Sequence, residues 1–247
     1  MPRTARKESF TGYYHLIVRG IGKQIIFEHD KDYGYYISLM RKYSEETGVS
    51  ICAYCLMDNH VHFLVYDNSK EVSQFMKKLN VAYAGYFNSK YSRTGHLFQD
   101  RFLSEVINSE AYLITVFRYI LNNPAKANIC PASEYLWNSY RAYLNPESFV
   151  DTSALAGMIG TWEQYAQFIS TENSDTCMEY YTQRESDEHA MNVLRRTLNL
   201  NSGSGNEIQN YEISERNEAI RKLKAAGLSS AQIQRLTGIG RGVIQRI

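Results

Sequence analysis

Two periodicities alternate along the first half of the chain, and that alternation restricts the fold more than any other feature. Gly12 to Arg19 is rich in aromatic and β-branched residues and reads as a strand. From Lys31 to Glu46 the residues Tyr35, Tyr36, Leu39, Met40 and Tyr43 recur at helical spacing. Val49 to Met57 and His60 to Tyr66 then read as two short strands joined at Asp58-Asn59, residue types that suit a tight hairpin connection. Glu71 to Tyr91 is a second long helix with Val72, Phe75, Met76, Leu79, Tyr83 and Phe87 along one side. An extended segment, His96 to Ile107, leads into a helix from about Ser109, which can serve as N-cap, to Asn122. That helix stops near Asn123, because Pro124 pushes its predecessor out of helical geometry. The order β-α-β-β-α-β predicts an α+β fold of the ferredoxin-like kind, a mostly antiparallel sheet with helices on one face.

Beyond Pro131 the pattern is irregular and mostly helical, including Thr161 to Ser170 and Asp187 to Leu198. Residues 163–190 carry seven acids against the single base Arg184, whereas residues 214–247 carry seven bases against Glu215 and Glu218. Between them Asn201 to Asn206, rich in serine and glycine, reads as a linker or loop. A helix from about Ser214 to Ala226 follows, and then a second helix opened by Ser229 with Gln232 completing a capping box. A turn at Thr237 to Gly240 and a short last helix to Ile247 complete a helix-turn-helix pattern. Its apolar positions (Leu228, Ile233, Leu236, Ile239, Val243, Ile244) supply a small core and leave Arg241, Gln245 and Arg246 on a face that fits a DNA major groove. A purely structural three-helix cap is the competing reading. The expected division is therefore 1–145, a first compact domain; 146–205, an acidic helical connection; and 206–247, the basic C-terminal module.

Composition sets outer bounds. A hydrophobic fraction of 44% in 247 residues is ample for a packed core. No stretch approaches the roughly 20 continuous apolar residues of a membrane span, and Met1 to Ser9 lacks the apolar centre of a signal peptide. Four cysteines do not make a disulfide framework in a chain of this length, so a reducing compartment, the cytoplasm, is expected. A net charge of +1 argues against a uniformly basic nucleic-acid binder, leaving the basic C-terminal module as the place where phosphate would be met.

Residues two apart on a strand share a face, so His60 and His62 present two imidazoles side by side, half of a metal site. Histidines in that arrangement also occur simply exposed or hydrogen-bonded within a fold. On the helix that ends at Pro124, Tyr119 and Asn123 are four apart and hence neighbours. Asn123 offers a carbonyl oxygen to a metal, and Tyr119 offers a phenol whose deprotonation supplies a nucleophile for a phosphodiester polarised by the metal. With 20 tyrosines in the chain, spacing does not single out Tyr119. Cys52 and Cys55 form a Cys-x-x-Cys without a second pair; three apart on a strand they face opposite ways, which favours packing. His96 and Arg101 are candidates either for DNA contact or for bracing the sheet. Arg3, Arg6 and Lys7 form a basic arm that can reach a groove or hairpin, or else stay solvated.

Four runs in order carry a resemblance: Tyr14-His15-Leu-Ile-Val-Arg-Gly20, Met57-Asp-Asn-His60-Val-His62-Phe-Leu64, Gly95-His-Leu-Phe-Gln-Asp-Arg-Phe102 and Arg118-Tyr119-Ile-Leu-Asn-Asn123-Pro124. They are similar to the successive signature segments of the HUH tyrosine transposases, in the branch of REP-associated tyrosine transposases. The resemblance covers about residues 10–145, with Trp137-Asn-Ser-Tyr140 near its end. It implies a ferredoxin-like nuclease in which His60, His62 and Asn123 hold magnesium or manganese and Tyr119 forms a 5′-phosphotyrosine with single-stranded or hairpin DNA. Asn123 stands where many relatives carry glutamine. The metal preference comes from the resemblance, since imidazoles alone also welcome zinc. The resemblance further implies a nicking and joining enzyme, while the helix-turn-helix reading makes duplex DNA a partner for the C-terminal module, composition gives no membrane partner, and monomer and homodimer both stay open. A DNA-binding regulator that keeps the fold without catalysis, and a relaxase or replication initiator with similar chemistry, are the alternative readings.

Overall fold

The computed structural model describes residues 7–145, 148–179, 183–199 and 205–247. They form two compact units, 1–180 and 181–247. The first is built on a four-stranded antiparallel sheet of β1 (Tyr13–Arg19), β2 (Ser50–Leu56), β3 (His60–Tyr66) and β4 (Leu103–Ile107), in the order β2-β3-β1-β4. Helices α1 (Asp30–Thr47) and α2 (Val72–Lys90) are the two crossovers of the β-α-β-β-α-β order. Alternation along the strands decides what each face buries. Leu16, Val18, Val61, Phe63 and Val65 pack with Tyr36, Phe75, Leu79 and Tyr83 from α1 and α2. Asp32 locks that pair of helices together. Buried at the start of α1, it accepts from the Glu28 and His29 amides, the Tyr86 and Tyr91 hydroxyls and the Lys90 ammonium of the α2 end.

Helices cover the second face as well, a correction to the one-sided expectation. Helix α3 (Glu110–Leu121) lies there, with Leu113, Val116, Phe117, Tyr119 and Ile120 turned inward against Leu64 of β3 and Ala53 and Cys55 of β2. Its strong apolar stripe requires burial, and α1 and α2 already fill the other side. Ser109 caps the helix by accepting from the Tyr112 amide, as expected. Pro124 ends α3 but opens a further single turn, α4 (Asn123–Lys126), because a residue without an N–H fits the first turn of a helix. Helices α5 (Ser153–Ile159) and α6 (Trp162–Ser170) close this side, placing Leu155, Tyr165 and Ile169 in the same core.

Three further expectations change in the structure. The extended stretch from His96 shortens to β4, since residues 97–99 bond instead to the end of β1 and the turn after it, through Ile21 N–H to Leu97 O and Gln99 N–H to Arg19 O. Cys52 and Cys55 reach the same core rather than opposite faces, because a register shift between Ile51 and Ala53 interrupts the alternation. Burial pushes the Cys52 thiol up to about 12 and that of Cys55 well up, so both are packing residues. The acidic stretch expected as one connection, 146–205, divides between the units: α6 serves the first core, whereas Ala190 and Leu194 of α7 (Gln183–Leu198) serve the second.

The second unit joins α7 to α8 (Ile213–Ala225), α9 (Ser230–Thr237) and α10 (Arg241–Arg246) around Ile208, Ile220, Leu223, Ile233, Leu236 and Ile244. Ser229 and Gln232 form the anticipated capping box, and α9 ends on Gly238 at φ 70°, a left-handed conformation that glycine adopts without penalty. Among the described residues no helix is long and apolar enough to cross a membrane.

Candidate active site

The site lies between β1, β3 and α3, on the face that α3 covers. His60 and His62 stand on the same face of β3, their ring centroids 5.0 Å apart. The Tyr119 ring meets His62 edge-on at 5.8 Å, so the sheet and α3 bring together two of the candidate ligands and the candidate nucleophile. Asn123, one turn beyond Tyr119, gives its amide N–H to the Tyr119 carbonyl at 3.0 Å. The amide nitrogen is thereby engaged, and the side chain lies beside His60 with its oxygen uncommitted to that bond. His60 Nδ1 donates to Asn59 Oδ1 at 2.6 Å, because an amide oxygen can only accept. That bond puts the proton on Nδ1 and leaves the lone pair on Nε2.

Burial keeps these imidazoles uncharged. It lowers His60 to about 4, with Arg19 as a second cause, and lowers His62 well below the usual histidine range, helped by His60 and His15. Arg19 reaches His60 because the two are cross-strand partners. A neutral imidazole can donate a lone pair to a cation, and His62 Nε2 is buried with no hydrogen-bond partner, which makes it a candidate donor. Among the described residues there is no metal-ready group of three or more His, Cys, Asp and Glu side chains, so a third side-chain donor would have to be of another type, for which the Asn123 amide oxygen is a candidate. Two imidazoles and one amide carry no charge, and such a set leaves a divalent cation's full charge for a phosphate.

Several neighbours escape sequence reasoning. His15 of β1 bonds His62 at 3.0 Å between His15 Nε2 and His62 Nδ1, and its ring meets Tyr119 at 6.2 Å. Behind it stands Glu105 of β4, whose Oε2 is 3.7 Å from His15 Nδ1 and accepts from the Tyr112 hydroxyl at 2.8 Å. The Lys126 ammonium sits 3.9 Å over the Tyr119 ring and donates to the Asp175 carbonyl, and desolvation lowers its pKa. Asp175 also takes both guanidinium contacts of Arg118, at 2.7 and 2.9 Å. The strand spacing alone carries no sign of His15, because its place beside His62 depends on the β1–β3 register, in which Ile17 pairs with His62. Lys126 is beyond the Pro124 stop and comes over Tyr119 only through the extra turn of α4. Tyr119 itself is 5% exposed.

The expected DNA-contact residues scatter. His96 and Arg101 are exposed on the loop that bonds to the end of β1, near the His60 end of the sheet. Gly20 ends that strand where a Cβ would meet the Gln24 carbonyl oxygen at 2.2 Å, so the tight turn beside the site requires glycine. Lys7 is exposed, while Arg3 and Arg6 lie outside the described residues, as do residues 201–204 of the expected linker. In the second unit Gln245 and Arg246 are exposed on α10, and Arg241 opens that helix half-buried.

Comparison with known proteins finds a matching family model and two solved structures. Residues 8–123 match the family described as "Transposase IS200 like", a span that ends on Asn123 and takes in the whole sheet, both histidines and Tyr119. Among solved structures, the chain shares its fold with a REP-associated tyrosine transposase bound to a REP hairpin. The identity there is 13% and the TM-score 0.52, over 74% of this chain and 100% of that one. A putative transposase from Deinococcus radiodurans R1 is 21% identical with a TM-score of 0.35, over 49% of this chain and 97% of that one. No curated protein matches the sequence significantly. Through residues 8–123, just under half of its length, the chain is similar to the IS200-like transposase family.

Proposed function

We propose that this DNA-processing protein is a metal-dependent endonuclease and strand transferase for single-stranded DNA, using Tyr119 as nucleophile and His60, His62 and Asn123 as metal ligands. The observation that carries the reading is the convergence of Tyr119 on His62, 5.8 Å between rings, with the unpartnered His62 Nε2 beside it. The Tyr119 oxygen attacks the phosphorus, its proton departs to solvent, and the bond from phosphorus to the 3′ oxygen breaks, so that the 3′ oxygen leaves and is protonated. The 5′ end remains as a phosphotyrosine ester, and attack by another 3′ hydroxyl reverses the step, which therefore needs no nucleotide cofactor. His60, His62 and Asn123 would hold magnesium or manganese, which would supply positive charge to the phosphate of the scissile bond. The Lys126 ammonium over the ring favours the developing phenolate and adds positive charge where phosphate arrives.

Single-stranded or hairpin-forming repeats are the proposed substrate, by analogy with the REP hairpin held by the structural neighbour. The sheet order and its crossovers support the ferredoxin-like assignment for the first unit. The capped α9, the turn at Gly238 and the short α10 support a helix-turn-helix in the second, with Arg241, Gln245 and Arg246 meeting duplex or stem. Arg3, Arg6, Lys7, His96 and Arg101 are the proposed contacts of the first unit. One observation favours the second reading, a DNA-binding regulator without catalysis: Tyr119 is nearly covered, so phosphate reaches it only if the cover moves.

Incubation with labelled hairpin DNA and manganese separates the two. A covalent adduct that survives denaturation in the native protein and is lost in Tyr119→Phe supports the enzyme; binding with no adduct on any hairpin tested supports the regulator. Removing residues 181–247, the whole second unit, is expected to weaken DNA binding and flatten its salt dependence. Unchanged binding removes that unit's role.

A further inference from the structure

His15 lies outside the candidate ligand set, yet it is fully buried and touches His62 more closely than any other side chain described at the site. The bond between His15 Nε2 and His62 Nδ1, 3.0 Å long, holds one proton, and two assignments are open. If His15 donates, His15 Nδ1 is a bare lone pair 3.7 Å from the Glu105 carboxylate, which is repulsive. His62 Nε2 must then carry a proton with nothing to receive it, an unsatisfied buried donor that costs about 1–3 kcal/mol. If His62 donates, His15 Nδ1 carries its proton toward Glu105, so the repulsion there turns into attraction, and the unpartnered His62 Nε2 is a lone pair rather than a stranded proton. Glu105 is itself held in place by the Tyr112 hydroxyl at 2.8 Å.

We infer that His15 is a positioning residue that fixes His62 as the Nδ1–H tautomer and aims its Nε2 lone pair into the candidate metal centre, with Glu105 and Tyr112 setting the orientation of His15. The inference rests on the metal reading of His62 given above. Tyr112, Glu105, His15 and His62 then form one directed chain from the surface of α3, across β4 and β1, to β3. A ligand whose tautomer is preset does not have to exchange a proton when the cation arrives, and such supporting partners typically change metal affinity by roughly 10- to 100-fold.

Two measurements on the full-length protein test this. In metal-free protein, nitrogen–proton correlation spectra of the histidine rings are expected to show His62 protonated at Nδ1 and bare at Nε2; a proton on Nε2 overturns the inference and needs no variant. Manganese binding, followed by the loss of the free-ion electron paramagnetic resonance signal, is expected to weaken about 10- to 100-fold in His15→Phe, which removes the acceptor. It should recover to within about threefold in His15→Gln, whose amide oxygen can accept from His62 near the place of the lost nitrogen. Thermal melting of each variant checks that it is folded. Binding by His15→Phe at native strength overturns the role of His15, as does equal loss in both His15 variants. Manganese that binds native protein and His62→Leu alike, or neither, overturns the metal reading and the inference with it. That outcome is distinct from failure of His15 alone, in which native protein binds and His62→Leu does not.

Discussion

On the face of the sheet that meets α1 and α2, Leu16, Val18, Val61, Phe63 and Val65 interlock with aromatic and aliphatic side chains. On the face that meets α3 the same strands supply His15 and His62, with Tyr119 above them and Glu105 at the edge. Each face even buries a tyrosine, Tyr36 on one and Tyr119 on the other. The Tyr36 hydroxyl has no partner and serves only to fill space, whereas Tyr119 stands against imidazoles and an ammonium. One face thus supplies the cohesion that lets the other keep uncharged, partly unsatisfied polar groups. Such groups lower stability where they stand, and they are retained where they have a task.

Adjacent residues give the sharpest way to break this division. His62→Leu is expected to reduce adduct formation with hairpin DNA by on the order of a thousandfold or more, the scale seen when a catalytic constellation loses a member. Its melting should change little, because the substitution removes an orphaned nitrogen along with one hydrogen bond. Loss of cooperative unfolding in this variant would show that the histidine face also holds the fold together. Phe63→Ala, one residue on, should cost about 3–5 kcal/mol in a urea titration, while the fraction still folded forms adduct. A fully folded but inactive Phe63→Ala would mean that the two faces are not independent.

Acid should unfold the protein through the histidine face. His60 is held at about 4 in the native state against an ordinary value of about 6.5 when unfolded, so only the unfolded chain gains this proton as pH falls below 6.5. Stability is therefore complete above that value and declines toward pH 4, by about 2 kcal/mol from His60 alone near pH 5. Melting temperatures of native protein and His60→Gln across this range measure it; parallel curves would assign the acid sensitivity elsewhere. The smallest effect belongs to Tyr36→Phe, which removes an unpartnered hydroxyl from the packing face and should leave adduct formation unchanged while stabilising by up to about 1 kcal/mol. A drop in activity would connect Tyr36 to the site across the sheet.

Much of this division is legible in the residues. Aromatic and β-branched richness marks the strands and helical spacing the helices between them, and β3 runs from His60 to Tyr66 as read. Ser109 and Ser229 announce their helices because their hydroxyls satisfy amides that a helix start leaves free. The strand period also puts His60 and His62 on one face. Which face that is, and what covers it, is a matter of long-range packing. A local pattern carries no record of α3 crossing to the second side or of the shift at Cys52, and it does not foretell that α6 joins one core and α7 the other. The sequence by itself therefore determined the elements, the paired histidines and Tyr119 next to Asn123. Tertiary structure alone decided that His15, Glu105 and Lys126 gather around them, because strand register and the turn after Pro124 bring together residues as far apart in the chain as 15 and 126.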